Sequence, residues 1–176
     1  EIWYEQQMFE ERVRFRFGRI NLAGDFDTSA VANSETEQFL SSGFVNSLAI
    51  EFPDDNGPGV MLWLSACDSL DIGIGLTDAD ADWDNVFDDV FSILEFDFKP
   101  VFMERNGNYR FYGWLNKKDH EDLGDPAKTT EDNYGFGLSF DQEITQYAIL
   151  FFRFASQRES VSQVSSAWSI GIQCTG

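Results

Sequence analysis

The sequence is poor in the residues on which most enzymes and metal sites depend. It contains one histidine, His120, and two cysteines, Cys67 and Cys174. The cysteines fall at the ends of strand-like segments and match no metal-ligand or CxxC spacing, so we expect two unpaired structural cysteines. No GxSxG, HExxH, P-loop or GxGxxG motif occurs, so we expect no enzyme, no catalytic residue and no cofactor.

Long apolar runs and positive charge are also scarce. No apolar stretch approaches the about 20 residues that a membrane helix needs. The 12 basic residues stand against 31 acidic ones, which gives a formal net charge of −19 over 176 residues. Nucleic-acid binding needs concentrated lysine and arginine, so we expect no nucleic-acid partner. An outer-membrane barrel remains possible, because its apolar residues alternate with polar ones.

Short segments of alternating apolar and polar residues recur along the whole chain, as in Val13-Arg14-Phe15-Arg16-Phe17. Successive side chains of a strand point to opposite faces, so the pattern predicts strands with one apolar and one polar face. We expect one all-β, antiparallel domain over residues 1–176. The nine predicted strands lie near 1–8, 12–20, 59–67, 69–76, 91–99, 107–116, 133–141, 145–154 and 163–174.

The alternation assigns many charged side chains to one face of these strands. In a barrel this face must line the pore, because a charge facing lipid at mid-depth costs a few kcal/mol. In a soluble sandwich the same face would be the solvated one, and this pattern leaves both open. The predicted pore-lining or substrate-contacting residues, chosen by strand parity, are Arg14, Arg16, Glu95, Asp97, Arg110 and Arg153. Tyr112 and Trp114 share the face of Arg110 and are candidates for an aromatic track for sugar rings, whereas Trp3 and Trp168 suit an interfacial girdle better.

The connections between the predicted strands alternate between short and long, which is typical of outer-membrane barrels. Residues 67–69 and 142–144 suit tight hairpins, and residues 117–132 form a charged loop. Residues 21–58 are too long for a plain loop. Within them, Ser34-Glu35-Thr36-Glu37 has the pattern of a capping box and predicts a short helix near 35–43. The segment is either a surface loop or one that folds against the sheet and narrows a barrel.

An acidic stretch is the best metal candidate in the sequence. Asp78-Ala79-Asp80-Ala81-Asp82 places carboxylates at the first, third and fifth positions of a calcium loop. Trp83 then stands in the position of the turn-making glycine, and Asp89 replaces the final glutamate. We interpret the stretch as a solvated acidic loop and assign no metal ligand, while calcium binding stays an open alternative.

The stretch from Gly18 through Asn46 resembles the carbohydrate-selective porins of the OprB type. The segments Gly57-Pro58-Gly59, Asp78-Ala79-Asp80, Gly107–Tyr112 and Trp168–Gln173 are similar to the same family in the same order. The resemblance covers nearly the whole chain. It implies an outer-membrane β-barrel of about sixteen strands that passes sugars and ions by diffusion.

The resemblance also implies a location and partners. We expect the outer membrane of a Gram-negative-type bacterium, with outer-membrane lipid, small sugars and ions as partners, and a possible homo-oligomer. Nine strands would make about half of such a barrel. We therefore expect an internal fragment that forms an incomplete, curved open sheet. The alternatives are a secreted soluble β-sandwich that binds carbohydrate, and a structural barrel without conductance.

Overall fold

The computed structural model describes residues 1–34, 36–38, 41–54, 56–81, 85, 88–130 and 132–175, and these are almost entirely antiparallel β-structure. Within these residues no helix is both long and apolar enough to cross a bilayer. Two short 3-10 turns occur, at Leu22–Gly24 and Ser42–Phe44. The strands are β1 Ile2–Met8, β2 Val13–Ile20, β3 Gly57–Cys67, β4 Leu70–Asp78, β5 Val90–Phe98, β6 Val101–Phe102, β7 Arg105–Asn116, β8 His120–Asp122, β9 Asp125–Thr130, β10 Asn133–Thr145, β11 Ala148–Gln157 and β12 Ser166–Cys174.

Nine of these strands form one continuous antiparallel sheet in the order β1-β2-β3-β4-β5-β7-β10-β11-β12. The short strand β6 pairs with the start of β7, which makes the sheet ten-stranded. Strands β8 and β9 form a separate hairpin. The sheet is not closed, since β1 and β12 are its two edges. The prediction of nine antiparallel strands in an open sheet is confirmed.

Three local predictions need correction. The charged segment 117–132 contains the β8–β9 hairpin. Strand β10 continues to Thr145 through a bulge, so its turn to β11 lies at 146–147 rather than 142–144. Residues 36–38 form a turn, not part of a helix, while residues 35, 39 and 40 lie outside the described residues. Ser41, Ser42 and Gly43 follow, and these residue types disfavour continuation of a helix.

The long and short connections lie at opposite ends of the sheet. Because neighbouring strands are antiparallel, successive connections alternate between the two ends. Residues 21–56, 79–89, 117–132 and 158–165 connect strands at one end, and residues 9–12, 68–69, 99–104 and 146–147 connect them at the other. Cys67 ends β3 and Cys174 ends β12, and both thiols are free and exposed.

One face of the sheet, here called the outer face, is apolar and exposed. Each of the nine strands presents on it an aromatic or aliphatic side chain that is more than a third exposed. One example per strand is Tyr4, Phe17, Leu62, Ile74, Phe96, Phe111, Phe136, Leu150 and Ile170. Soluble monomers rarely expose an apolar surface that spans a whole sheet, so this face is suited to an apolar environment.

The opposite face, here called the inner face, is covered by the described parts of the connection 21–56, here called the docked loop. Leu22, Phe26, Ala49 and Ile50 of the docked loop are buried in one cluster with inner-face side chains. Those side chains are Met61, Phe91, Ile93, Tyr112, Trp114 and Ala155. Full burial of a leucine or phenylalanine contributes about 1.5–3 kcal/mol, so the described core stabilises the loop on the sheet.

Candidate functional site

All six charged residues predicted to share a face lie on the inner face. The strand register places Asp97 beside Arg110, Arg110 beside Ser139, and Ser139 beside Arg153. In the same way Glu95 lies beside Tyr112 and Arg14 beside Trp63. The alternation of the sequence is sufficient for this assignment, because side-chain direction has a period of two along a strand. The part each residue plays depends on the docked loop.

Two of the six residues bind the first turn of the docked loop. Arg14 Nη2 lies 3.3 Å from Asp25 Oδ1, and Arg16 Nη1 donates to Asp25 Oδ2 at 2.6 Å. Arg16 also pairs with Glu5 Oε2 at 2.9 Å and lies over the ring of Trp3, at 4.6 Å from the ring centroid. Trp3 is therefore an inner-face residue, and its assignment to an interfacial girdle is wrong. Register alone decides this, since Glu5 pairs with Arg16.

Asp27 is the most deeply buried charged residue of the docked loop. Its backbone N–H donates to Glu95 Oε2 at 2.8 Å, and its Oδ2 accepts from the N–H of Ser47 at 2.6 Å. Its backbone is left-handed, with φ of 52°, a conformation that aspartate tolerates better than most residues. Burial raises the pKa of Asp27 to about 6, while the neighbouring Arg153 guanidinium opposes that rise.

Arg153, on β11, holds the docked loop at another part of the same inner face. Its guanidinium donates to the carbonyl oxygens of Asp27 at 2.8 Å and Phe44 at 2.6 Å. Its Nε donates to Ser139 Oγ at 3.2 Å and lies 3.5 Å from Asp27 Oδ1. The Ser139 hydroxyl in turn donates to the Thr28 carbonyl at 2.9 Å. Arg153 thus satisfies the backbone of two separated parts of the loop.

Arg110 links two carboxylates that belong to the sheet and not to the docked loop. Its Nη1 donates to Asp141 Oδ2 at 2.8 Å, and its Nε lies 3.6 Å from Asp97 Oδ2. Asp141 also accepts from Asn108 Nδ2 at 2.8 Å and from the N–H of Ala30 in the docked loop at 3.4 Å. The charged row therefore extends across β5, β7 and β10 and reaches the loop at its edge.

The end of the docked loop is held by a second cluster near the long connections. The carboxylate of Glu51 lies 2.9 and 3.0 Å from His120 Nε2 and accepts from Asn133 Nδ2 at 2.5 Å. The Glu51 carbonyl accepts from Asn116 Nδ2 at 3.5 Å. The single histidine therefore has a structural contact with the loop, which the sequence pattern did not indicate.

Two glycines of β4 make room for the loop and for an aromatic ring. A Cβ at Gly75 would lie 2.9 Å from Leu22 Cδ1 and from Phe26 Cε2. A Cβ at Gly73 would lie 2.6 Å from the ring of Trp63, which stacks on Phe26 with a centroid distance of 5.2 Å. The period-two glycines on the polar face are the sequence signal that predicts this close approach, because only glycine leaves that space free.

A polar recess of about 320 Å³ lies beside the docked loop on the inner face. Four of the six predicted residues, Arg14, Glu95, Asp97 and Arg110, line it together with Asp25 and Trp63. Arg16 and Arg153 do not line it. The structure thus divides the predicted set into four residues at the recess, of which Arg14 and Glu95 also contact the docked loop, and two that contact the loop away from the recess.

The remaining predictions concern aromatics and the acidic stretch. Tyr112 and Trp114 are on the inner face as predicted, but both are buried in the core beneath the loop, so they form no exposed aromatic track. Trp168 is exposed on the outer face, where a girdle residue belongs. Residues 82–84 of the acidic stretch lie outside the described residues. Among the described residues no group of three His, Cys, Asp or Glu side chains is placed to hold a metal ion.

Comparisons with known proteins agree with this architecture. The chain aligns with the high-pH structure of Pseudomonas putida OprB at a TM-score of 0.75 and 14% identity, over 98% of this chain and 48% of that one. It is 28% identical over 123 residues to an uncharacterized protein of Aquifex aeolicus, which covers 70% of this chain and 37% of that protein. No family model matches the sequence. The chain has a porin-like β-fold and spans about half of that porin structure.

Proposed function

We propose that this chain forms one wall of an outer-membrane porin, through which small sugars and ions diffuse passively. The observation that supports the proposal is the contrast between the two faces of one sheet. The outer face is apolar and exposed on all nine strands, and the inner face is charged and covered by the chain's own loop. In an outer-membrane barrel the apolar face contacts lipid, and the polar face borders a water-filled lumen.

The two free edges of the sheet support a larger barrel. Open sheet edges are not tolerated in the hydrocarbon region of a membrane, because their backbone groups would lack partners. The first and last of the nine antiparallel strands run in the same direction. An odd number of further strands is therefore needed to close the sheet with antiparallel pairs at both junctions. This chain aligns with 48% of the OprB chain, and a barrel of that size has room for such further strands.

The proposed transport needs no catalytic step, and we propose that the protein is not an enzyme. Selectivity in such a pore comes from its width, its lining hydrogen-bonding groups and its fixed charges. The docked loop would reduce the width of the pore, because it lies on the inner face. The recess beside it places Arg14 together with carboxyl groups. Guanidinium groups donate bidentate hydrogen bonds, which suit neighbouring sugar hydroxyls. The carbohydrate preference rests on the resemblance of residues 18–46 to the OprB-type porins.

The location and partners are part of the same proposal. An exposed apolar band requires outer-membrane lipid as the surrounding partner, and the outer membrane is the location of porins in Gram-negative-type bacteria. The excess of acidic residues argues against nucleic acid as a partner. Association of complete barrels into a homo-oligomer would bury part of the outer face.

Single-channel conductance tests the proposed function. The complete barrel that carries this chain would be refolded in detergent, inserted into planar bilayers and titrated with glucose and larger sugars. We expect discrete steps that glucose-sized sugars reduce, and a changed block for Arg110→Ala, since Arg110 lines the recess. Arg105→Ala, at the opposite end of β7, is the control. A protein that stays monomeric without detergent and gives no steps would contradict the proposal.

A further inference from the structure

The recess beside the docked loop has more free hydrogen-bond acceptors than free donors. Glu95 is fully buried and Asp97 is 7% exposed, and both side chains line the recess. Over the described part of the chain, Glu95 Oε1 and Asp97 Oδ1 have no hydrogen-bond partner. A buried carboxylate oxygen without a partner costs free energy, so these two atoms favour a ligand that supplies donors.

Two of the three arginines that line the recess are already engaged by carboxylates, while the third, Arg12, is exposed and has no ion pair among the described residues. Arg14 pairs with Asp25, and Arg110 pairs with Asp141 and Asp97. Trp63 also lines the recess, and its Nε1 donor has no hydrogen-bond partner among the described residues. Apart from the exposed Arg12, the free capacity of the recess is therefore two carboxyl oxygens and one neutral donor.

This combination distinguishes between classes of small polar molecules. An anionic group would meet unpaired carboxylates in a site where charges are poorly screened. A neutral sugar can donate to both carboxylates, but only through neutral hydroxyls. A protonated amine makes charge-assisted hydrogen bonds, which are roughly twice as strong as neutral ones. A hydroxyl on the same molecule can accept from Trp63 Nε1.

We propose that the recess is a binding site for small polar molecules that carry a protonated amine, with amino sugars as the preferred substrate class. The proposal rests on the proposed function, since it names the solutes that the pore favours. The volume of about 320 Å³ is at the lower end of the range of about 300–1,000 Å³ for small-molecule sites. No set of three acidic, His or Cys ligands for a metal ion is present within the described residues, so an organic ammonium group fits the site better than a multivalent metal ion.

The test compares three sugars of one size and different charge. Current block by glucosamine, glucose and glucuronate would be measured on the complete barrel in planar bilayers at pH 6, where the amine is protonated. We expect glucosamine to block at an about tenfold lower concentration than glucose, which corresponds to one charge-assisted hydrogen bond. Glucuronate should block less than glucose. Equal block by all three sugars would overturn the inference.

Variants assign the effect to the recess. Glu95→Gln with Asp97→Asn should reduce the glucosamine advantage to less than about twofold, because neutral amides replace both carboxyl groups that line the recess. Glu143→Gln removes one carboxylate of β10 outside the recess and should preserve the advantage. If the double variant does not fold, Asp97→Asn alone should reduce the advantage, since Asp97 makes no described contact with the loop backbone. An unchanged advantage in these recess variants would overturn the inference.

The outcomes separate this inference from the proposed function. Absence of channel steps would overturn the porin function and the inference with it. Channel steps without any block by sugars would contradict carbohydrate passage. Steps that glucose and glucosamine reduce equally would support the porin and overturn only the amine preference.

Discussion

The two faces of the nine-stranded sheet are built from alternate residues of the same strands, yet they are organised differently. Outer-face contacts join apolar side chains of neighbouring strands, such as Phe111 and Phe140, whose ring centroids lie 5.2 Å apart on β7 and β10. Inner-face contacts are specific and distant in sequence, as between Arg153 and Asp27, 126 positions apart. The outer face needs only apolar character, whereas the inner face needs particular residues.

The strongest test of this difference removes the buried guanidinium that holds the docked loop. Arg153→Met leaves Asp27 buried without its cation, and loss of one partner of a buried ion pair costs about 3–5 kcal/mol. We expect a large loss of hydrogen-exchange protection at the amides of Asp27 and Ser47, both of which donate to carboxylates in the docked state. Arg105→Met, at the short-connection end, should leave that protection unchanged. Retained protection in Arg153→Met would contradict the assigned role.

A charge on the outer face tests what surrounds it. Phe96→Arg should lower the free energy of unfolding from lipid by about 2–4 kcal/mol, because in the proposed barrel the arginine faces hydrocarbon. Gln7→Arg adds the same charge to the inner face and should change that free energy little. The measurement is equilibrium urea unfolding of the complete barrel in lipid vesicles. Equal effects of the two substitutions would remove the distinction between the faces.

A methyl group tests the close approach of the docked loop to β4. Gly75→Ala forces Leu22 and Phe26 of the docked loop away from β4. Overpacking of this kind lowers stability by about 1–3 kcal/mol. Gly113→Ala is the matched control on the outer face, where an added Cβ would lie 3.8 Å from its nearest neighbour. We expect faster protease cleavage of the docked loop only in Gly75→Ala. The same cleavage rate in both variants would argue against tight packing at Gly75.

The smallest expected effect concerns pH. Asp27 has a pKa of about 6 in the docked loop against an ordinary value of 3.8, so the docked state holds the proton more tightly. The contribution of Asp27 to docking is therefore complete below about pH 4 and is lost as the pH rises through 6. Hydrogen-exchange protection of the loop, corrected for intrinsic exchange rates, should fall across this window. Asp27→Asn should reduce the pH dependence of this protection. An identical pH profile in the variant and the unmodified protein would contradict the role of Asp27.

Sequence patterns predict the sheet far better than the site. Strand positions and faces follow from residues two positions apart, so the alternation places Arg14, Glu95 and Arg110 on one face. The division of these charges between recess and loop depends on Asp25 and Asp27, and Asp27 binds Glu95 and Arg153, which lie 68 and 126 positions away in the sequence. No local pattern determines those pairs. The β8–β9 hairpin was also missed, since its charged residues lack the apolar alternation of a half-buried strand.

The most direct test of the central claim is quenching of single tryptophans by lipids with brominated acyl chains. In the complete barrel with its natural tryptophans replaced by phenylalanine, Phe96→Trp places one indole on the outer face, and Trp63 retained alone reports on the inner face. We predict strong quenching at position 96 and little at position 63, because in the proposed barrel only the outer face meets hydrocarbon. Equal quenching at both positions, or none at position 96, would contradict a lipid-facing apolar wall with a water-facing polar side.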